Sequence, residues 1–214
     1  MSAADYTEPH WAASALVVID MQVDFTGGGA LPVPGTDEVV PGVARLAEGF
    51  RAARRPIVHI VRLYQPGSAD VDPPRRAFVE AGGQAVAPGT PGSAVIAGLA
   101  TDAGEPLELD AGLLLSGVPQ EIGKDEIVLF KPRWSAFFRT GLEDWLRERG
   151  VDTVVVAGCN LPNCPRATLF DASERDFRAV LAEDAVSQAT PERLADMAAI
   201  GVRLLPASAI LAAL

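Results

Sequence analysis

The sequence predicts an α/β protein, a doubly wound, six-stranded parallel sheet with helices on both faces. Three observations carry this. Short, nearly continuous apolar runs recur along the chain, as strands buried on both faces require. Amphipathic stretches lie between them, each followed at once by the next apolar run, which is the alternation of βαβ units. One long segment, residues 62–126, breaks the rhythm with its Pro- and Gly-rich composition and reads as an insertion.

In chain order, residues 15–19 (ALVVI) make the first strand and end at Asp20. Residues 41–53 then space their apolar side chains helically until Arg54, Arg55 and Pro56 stop them. The second strand is 57–61 (IVHIV). The insertion follows, with charged helical pieces at 73–81 and 111–115, and is expected to cover the sheet edge and the active site. Beyond it, strands at 127–130 (IVLF), 153–157 (TVVVA), 178–182 (RAVLA) and 202–205 (VRLL) alternate with amphipathic stretches at 140–149, 166–175 and 191–200. The closing PASAILAAL suits a short apolar helix against the core. With 214 residues, 49% of them apolar, the chain has enough material for one sizeable core, so a single domain over 1–214 is expected.

Composition narrows the partners. A formal net charge of -10 repels phosphate backbones and anionic lipid, and no Lys/Arg cluster offsets it locally. Nucleic acid and membranes are therefore not expected partners. The apolar stretches are only strand-length, and the N-terminus has no basic region ahead of a hydrophobic one, so a cytoplasmic location is expected. Two cysteines, Cys159 and Cys164, cannot supply a secreted disulfide framework; redox, metal, catalytic or merely buried roles are left.

In an open parallel sheet, ligands bind outside the carboxyl ends of the strands. Asp20 follows ALVVI, Lys131 follows IVLF, and the loop 158–164 follows TVVVA. A carboxylate, an ammonium and a thiol on three strand ends could thus converge. Cys164 precedes Pro165, a residue favoured in the first helical turn, and so sits at a helix N-terminus. The partial positive charge there, with Lys131 nearby, is expected to lower the thiol pKa and make a nucleophile. The Cys164 N–H, with that of a loop residue such as Asn160, could form an oxyanion hole. Each residue also has a plainer reading. Cys159 reads as a small buried hydrophobe, Asp20 alone as a helix cap or turn aspartate, and Lys131 alone as a solvated strand-end lysine. The C-x4-C spacing is a poor zinc site, since only His10 and His59 exist and neither lies in a ligand-like cluster, and thioredoxin-type chemistry wants C-x-x-C.

The stretches VVIDMQVDF (17–25), FKPRWSAFFRTGL (130–142) and VVAGCNLPNCPRATLFDA (155–172) resemble, in this order and spacing, the three motifs of the isochorismatase-like cysteine hydrolase superfamily, over nearly the whole chain. The resemblance implies a catalytic triad of Asp20, Lys131 and Cys164 on a six-stranded parallel sheet. It also implies a non-proline cis peptide at Cys159–Asn160 and an oxyanion hole from the amides of Asn160 and Cys164. The implied chemistry is thiolate attack on a carbonyl, a thioester intermediate and its hydrolysis, with Asp20 moving the protons and no cofactor. Members are often homo-oligomers, so a homo-oligomer is expected.

Departures from the family pattern matter as well. Nicotinamidase members bind a metal through an aspartate and histidines after the second strand, where this chain reads HIVRLYQPGSADVD; no metal is expected. Members that cleave the vinyl ether of isochorismate lack the cysteine nucleophile, so Cys164 argues for an amide-type bond. Leu161, Pro162 and Asn163 make the loop before the cysteine stiffer than usual. Phe25, Tyr64, Trp134, Phe137 and Phe138 are candidates to wall the pocket, and Arg133, Asn163 and Arg166 are its polar candidates. If Arg62, Arg133 or Arg166 faces the cavity, a substrate carboxylate or ureido oxygen is its natural partner. The expected partner is therefore a small amide-type molecule: a linear amide, a carbamoyl compound or a lactam. Two other readings of the residues stay open, a non-catalytic small-molecule binder and a redox protein using Cys159 and Cys164.

Overall fold

The structure, a computed structural model, describes residues 5–67, 70–100 and 104–214; residues 68–69 and 101–103 of the expected insertion lie outside the described residues. Seven strands are present: β1 (Ser14–Ile19), β2 (Ile57–Val61), β3 (Gln120–Gly123), β4 (Glu126–Phe130), β5 (Thr153–Gly158), β6 (Arg178–Val186) and β7 (Arg203–Leu205). The helices are α1 (Thr36–Ala52), α2 (Pro73–Glu80), α3 (Ala111–Leu115), α4 (Leu142–Glu148), α5 (Cys164–Ser173), α6 (Pro191–Ala199) and α7 (Ala207–Ala213).

The strands form one sheet in the order β3-β4-β2-β1-β5-β6-β7. All pairings are parallel except β3 against β4, so the expected six parallel strands are joined by an antiparallel seventh at the edge. Sequence reading missed β3 because its residues, QEIG, are only partly buried and lack the apolar run that marks the inner strands. The expected cover over the sheet edge is therefore itself a strand of the insertion. Helix α1 also departs from expectation. It begins at Thr36, ahead of Pro41, with Asp37 and Glu38 in its first turn, where carboxylates favour the helix N-terminus.

The inner strands are apolar throughout because both faces are covered. Along β1, Leu16 and Val18 enter a core with α1 (Val43, Leu46, Phe50) and α7 (Ala207, Ile210). Ala15, Val17 and Ile19 enter the opposite core with α4 (Leu142, Leu146), α5 (Leu169, Ala172) and α6 (Met197). The strand order reverses at β1: the chain moves outward one way through β2 and β4, and the other way through β5, β6 and β7. Such a switch point opens a crevice at the carboxyl ends of the central strands. Among the described residues no helix is long and apolar enough to cross a membrane.

Candidate active site

Asp20 leaves β1 with φ +52°, its N–H donating to Ile60 O at 2.9 Å while its own carbonyl accepts from Gln22 N at 3.0 Å. This left-handed turn folds the chain back after the strand, a conformation aspartate tolerates better than most residues. The carboxyl is buried, and Lys131 Nζ donates to its Oδ2 at 2.8 Å. Lys131 is itself fully buried and is held at the end of β4 by its N–H, which donates to Val61 O at 3.1 Å. Asp20 is thus the turn aspartate of its plain reading, but one whose carboxyl is paired and buried. Asp20 caps no helix, and Lys131 is no solvated lysine.

The third strand end requires glycine. Gly158 has φ +117°, and a Cβ there would lie 2.2 Å from Ile19 O, so only hydrogen lets β5 close on β1 at this point. The chain then passes through a cis Cys159–Asn160 peptide, as the resemblance implied, and reaches Cys164 at the first position of α5. Loop bonds hold the turn: Leu161 N donates to Ser187 O at 2.9 Å and Asn163 N to Asn160 O at 3.0 Å. Thr168 ties the helix start to the second motif, donating to Cys164 O at 2.8 Å while its Oγ1 accepts from Ala136 N at 3.0 Å. Among the described residues the N–H groups of Asn160 and Cys164 donate to no protein acceptor. Two uncommitted amides beside the thiol are what an oxyanion hole needs.

The pocket brings together Asp20, Cys164, Cys159, Asn160 and Asn163 with Phe25, Tyr64 and Trp134. Its free volume is about 40 Å³, room for the reacting group of a small substrate, and Trp134 on its wall is exposed. Phe137, expected in this wall, is instead core. It is buried, stacks at 5.6 Å on Phe177 and has the Arg175 guanidinium over its ring. Phe138 lies outside the pocket on the surface, Arg133 donates to Asp70 O at 2.7 Å, and Arg166 sits 3.6 Å from Asp196 and over Phe170. Of the three conditional arginines, only Arg62 lines the pocket.

Three contributors escaped sequence reading. Gln22 is buried and clamps the end of β2, donating to Arg62 O at 2.9 Å and Ser93 O at 2.7 Å while accepting from Arg62 N at 2.7 Å. Asp72 and Arg75, at the start of α2, reach the pocket from the insertion. Gln22 was already within the first motif, D-M-Q-x-D-F; the two α2 residues gave no signal, since their approach depends on how the insertion folds back.

The electrostatics differ from the sequence expectation. Burial pushes the Cys164 thiol up to about 12, the Asp20 charge and a hydrogen bond to Asp20 add to this, and Lys131 and Arg62 oppose it. Desolvation and the carboxylate outweigh the cations, so the resting group is a thiol. Asp20 Oδ1 is buried and has no hydrogen-bond partner among the described residues. Cys159 is also pushed to about 12, by burial first, and it packs in the core as a small hydrophobe. Both cysteines are free.

Neither histidine is placed for a metal. His59 Nε2 pairs with Glu126 at 2.7 Å inside the sheet layer, and His10 Nδ1 pairs with Asp152 at 2.6 Å. Among the described residues no three His, Cys, Asp or Glu side chains gather as a ligand set.

Comparison with known proteins gives a match to the isochorismatase domain over residues 14–107 and 113–210. A probable inactive nicotinamidase of Arabidopsis thaliana is 35% identical over 202 residues, covering 90% of this chain and 92% of that protein. A ureidoacrylate amidohydrolase of Methylorubrum extorquens is 35% identical over 192 residues, covering 85% of this chain and 73% of the relative. Among solved structures, an isochorismatase family protein from Desulfovibrio vulgaris superposes with a TM-score of 0.77 at 34% identity, covering 92% of this chain and 96% of the other.

Proposed function

This chain belongs to the isochorismatase family, and from that premise we propose that it is a cysteine-dependent hydrolase cleaving a C–N bond of a small amide or carbamoyl compound or a lactam. The observation that carries the proposal is the buried Lys131–Asp20 pair set against the Cys164 thiol beside two uncommitted amides. The ureidoacrylate amidohydrolase among its relatives supports a C–N bond as the target. Kinship with a probable inactive nicotinamidase means that membership alone does not establish catalysis, so the reading rests on the triad.

The chemistry follows from the geometry. The substrate carbonyl enters with its oxygen toward the N–H groups of Asn160 and Cys164. As sulfur bonds to the carbonyl carbon, the thiol proton passes to Asp20, removing the negative charge that opposed the thiolate. Lys131 holds the carboxyl in place and supports the anionic sulfur. The tetrahedral intermediate collapses by breaking the C–N bond, and Asp20 returns its proton to the departing nitrogen. Water then attacks the thioester with Asp20 as base, releasing the acid and restoring the thiol. Amine or ammonia release by the wild-type protein, absent in Cys164→Ala, tests this.

A further inference from the structure

We infer that the substrate carries a carboxylate, received by Arg62 and Arg75 on the wall of the pocket, so that the enzyme acts on acidic amides and carbamoyl compounds rather than neutral ones. This rests on the hydrolase reading of the same site. Arg62 follows β2 directly, is only 2% exposed, and lines the pocket. One arm of its guanidinium is used, Nη2 pairing with Asp72 and lying 3.5 Å from Tyr64 Oη. Nη1 is buried without a hydrogen-bond partner. A buried charged donor left unmet costs free energy, and such a group calls for a partner that completes it. Gln22 fixes the backbone of Arg62 on both sides of its peptide, so the donor is held in place before any ligand arrives.

Charge counting gives the sign of that ligand. Asp20 is matched by Lys131 and Asp72 by Arg62. Arg75, on the first turn of α2, lines the same pocket, and among the described residues its side chain has no hydrogen bond or ion pair. Arg62 and Arg75 line this pocket together with Cys159 and Cys164. The pocket thus keeps one uncompensated positive charge in a chain of net charge -10. A guanidinium fork with a free edge suits a planar carboxylate better than a neutral carbonyl.

The test compares half-amides with their diamides, equal in length and differing in charge: malonamate, succinamate and glutaramate against malonamide, succinamide and glutaramide. Binding is measured by calorimetry on Cys164→Ala protein, so it does not depend on turnover. At one chain length at least, the half-amide should bind tenfold or more tightly than its diamide, and adding Arg75→Gln should reduce that preference several-fold. In parallel, with Cys159→Ser removing the second thiol, the ratio of Cys164 alkylation by iodoacetate to that by iodoacetamide should fall several-fold on Arg75→Gln. Half-amides that bind no better than diamides at every length, undetectable binding included, or a preference indifferent to Arg75→Gln, would overturn the inference. Failure of the hydrolase reading shows separately, as wild-type protein that releases no amine from any amide.

Discussion

The Lys131 ammonium lies 2.8 Å from the Asp20 carboxylate, and both are shut from solvent at 0% and 3% exposure. They come from adjacent regions of one sheet, at the ends of β4 and β1, with β2 between them. Breaking such a pair leaves a buried charge unmatched and is expensive, about 3–5 kcal/mol. Lys131→Met should therefore lose about that much stability in urea unfolding and nearly all activity. Asp20→Asn/Lys131→Met should lose less stability than the sum of the single changes, because both charges leave together.

The two cysteines should part company. Cys164→Ala should abolish turnover with an unchanged circular dichroism spectrum. Cys159→Ala should keep activity within a few-fold and lower stability by about 1 kcal/mol, a small truncation in a packed core. Equal loss in both would mean that Cys159 is more than packing.

The Cys164 thiol also gives a pH prediction of definite sign. With its pKa pushed up to about 12, alkylation of Cys164 by iodoacetamide should keep rising through pH 10 without a plateau. Asp20→Asn removes the charge that opposes the thiolate and leaves Lys131 to favour it. Its labelling at pH 8 should rise as its turnover falls. Slower labelling in that variant would contradict the assignment of Asp20 as the thiol's neighbour.

Away from the site, Glu126 ties Arg51 and His59 together beneath the sheet edge, at 2.6 and 2.7 Å. Burial pushes its carboxyl up, but hydrogen bonds from Arg51 and His59 outweigh this and hold it near 2. A depressed carboxyl contributes stability above its ordinary pKa of about 4.5, and that contribution fades as pH falls toward 2. Glu126→Gln should lower the melting temperature clearly at pH 7, with the difference from wild type shrinking as pH is lowered from 4.5 to 2.

Gly158 is the point where backbone space governs chemistry. A methyl group there would meet Ile19 O, immediately before Asp20, and its φ of +117° is strained for any L side chain. Gly158→Ala should cost both stability and activity, because the strand ends that carry Asp20 and Cys159 must separate.

Much of this was legible in the residues. Continuous apolar runs marked the six parallel strands because each inner strand is covered on both faces, and Asp20 and Lys131, each directly after a run, meet near Cys164, at the end of the loop after a third, because strand ends converge at the switch point. Strand β3 was not legible, since QEIG pairs by its backbone at an exposed edge and needs no apolar signature. Phe137 read as pocket wall because it stands inside a motif, yet its ring turns to Phe177; an aromatic's direction depends on neighbours that sequence spacing does not specify. The thiol pKa was misjudged in sign because the helix terminus and Lys131 can be seen in sequence, whereas the burial that opposes them cannot. Asp72 and Arg75 joined the site through the fold of the insertion, which carries no periodicity to read.

The most direct measurement is release of ammonia or amine from a panel of primary amides, carbamoyl compounds and lactams, run beside Cys164→Ala protein. Release from at least one compound that disappears in the variant is the expected result. Release that persists undiminished in Cys164→Ala would contradict the nucleophile at the centre of the proposed mechanism.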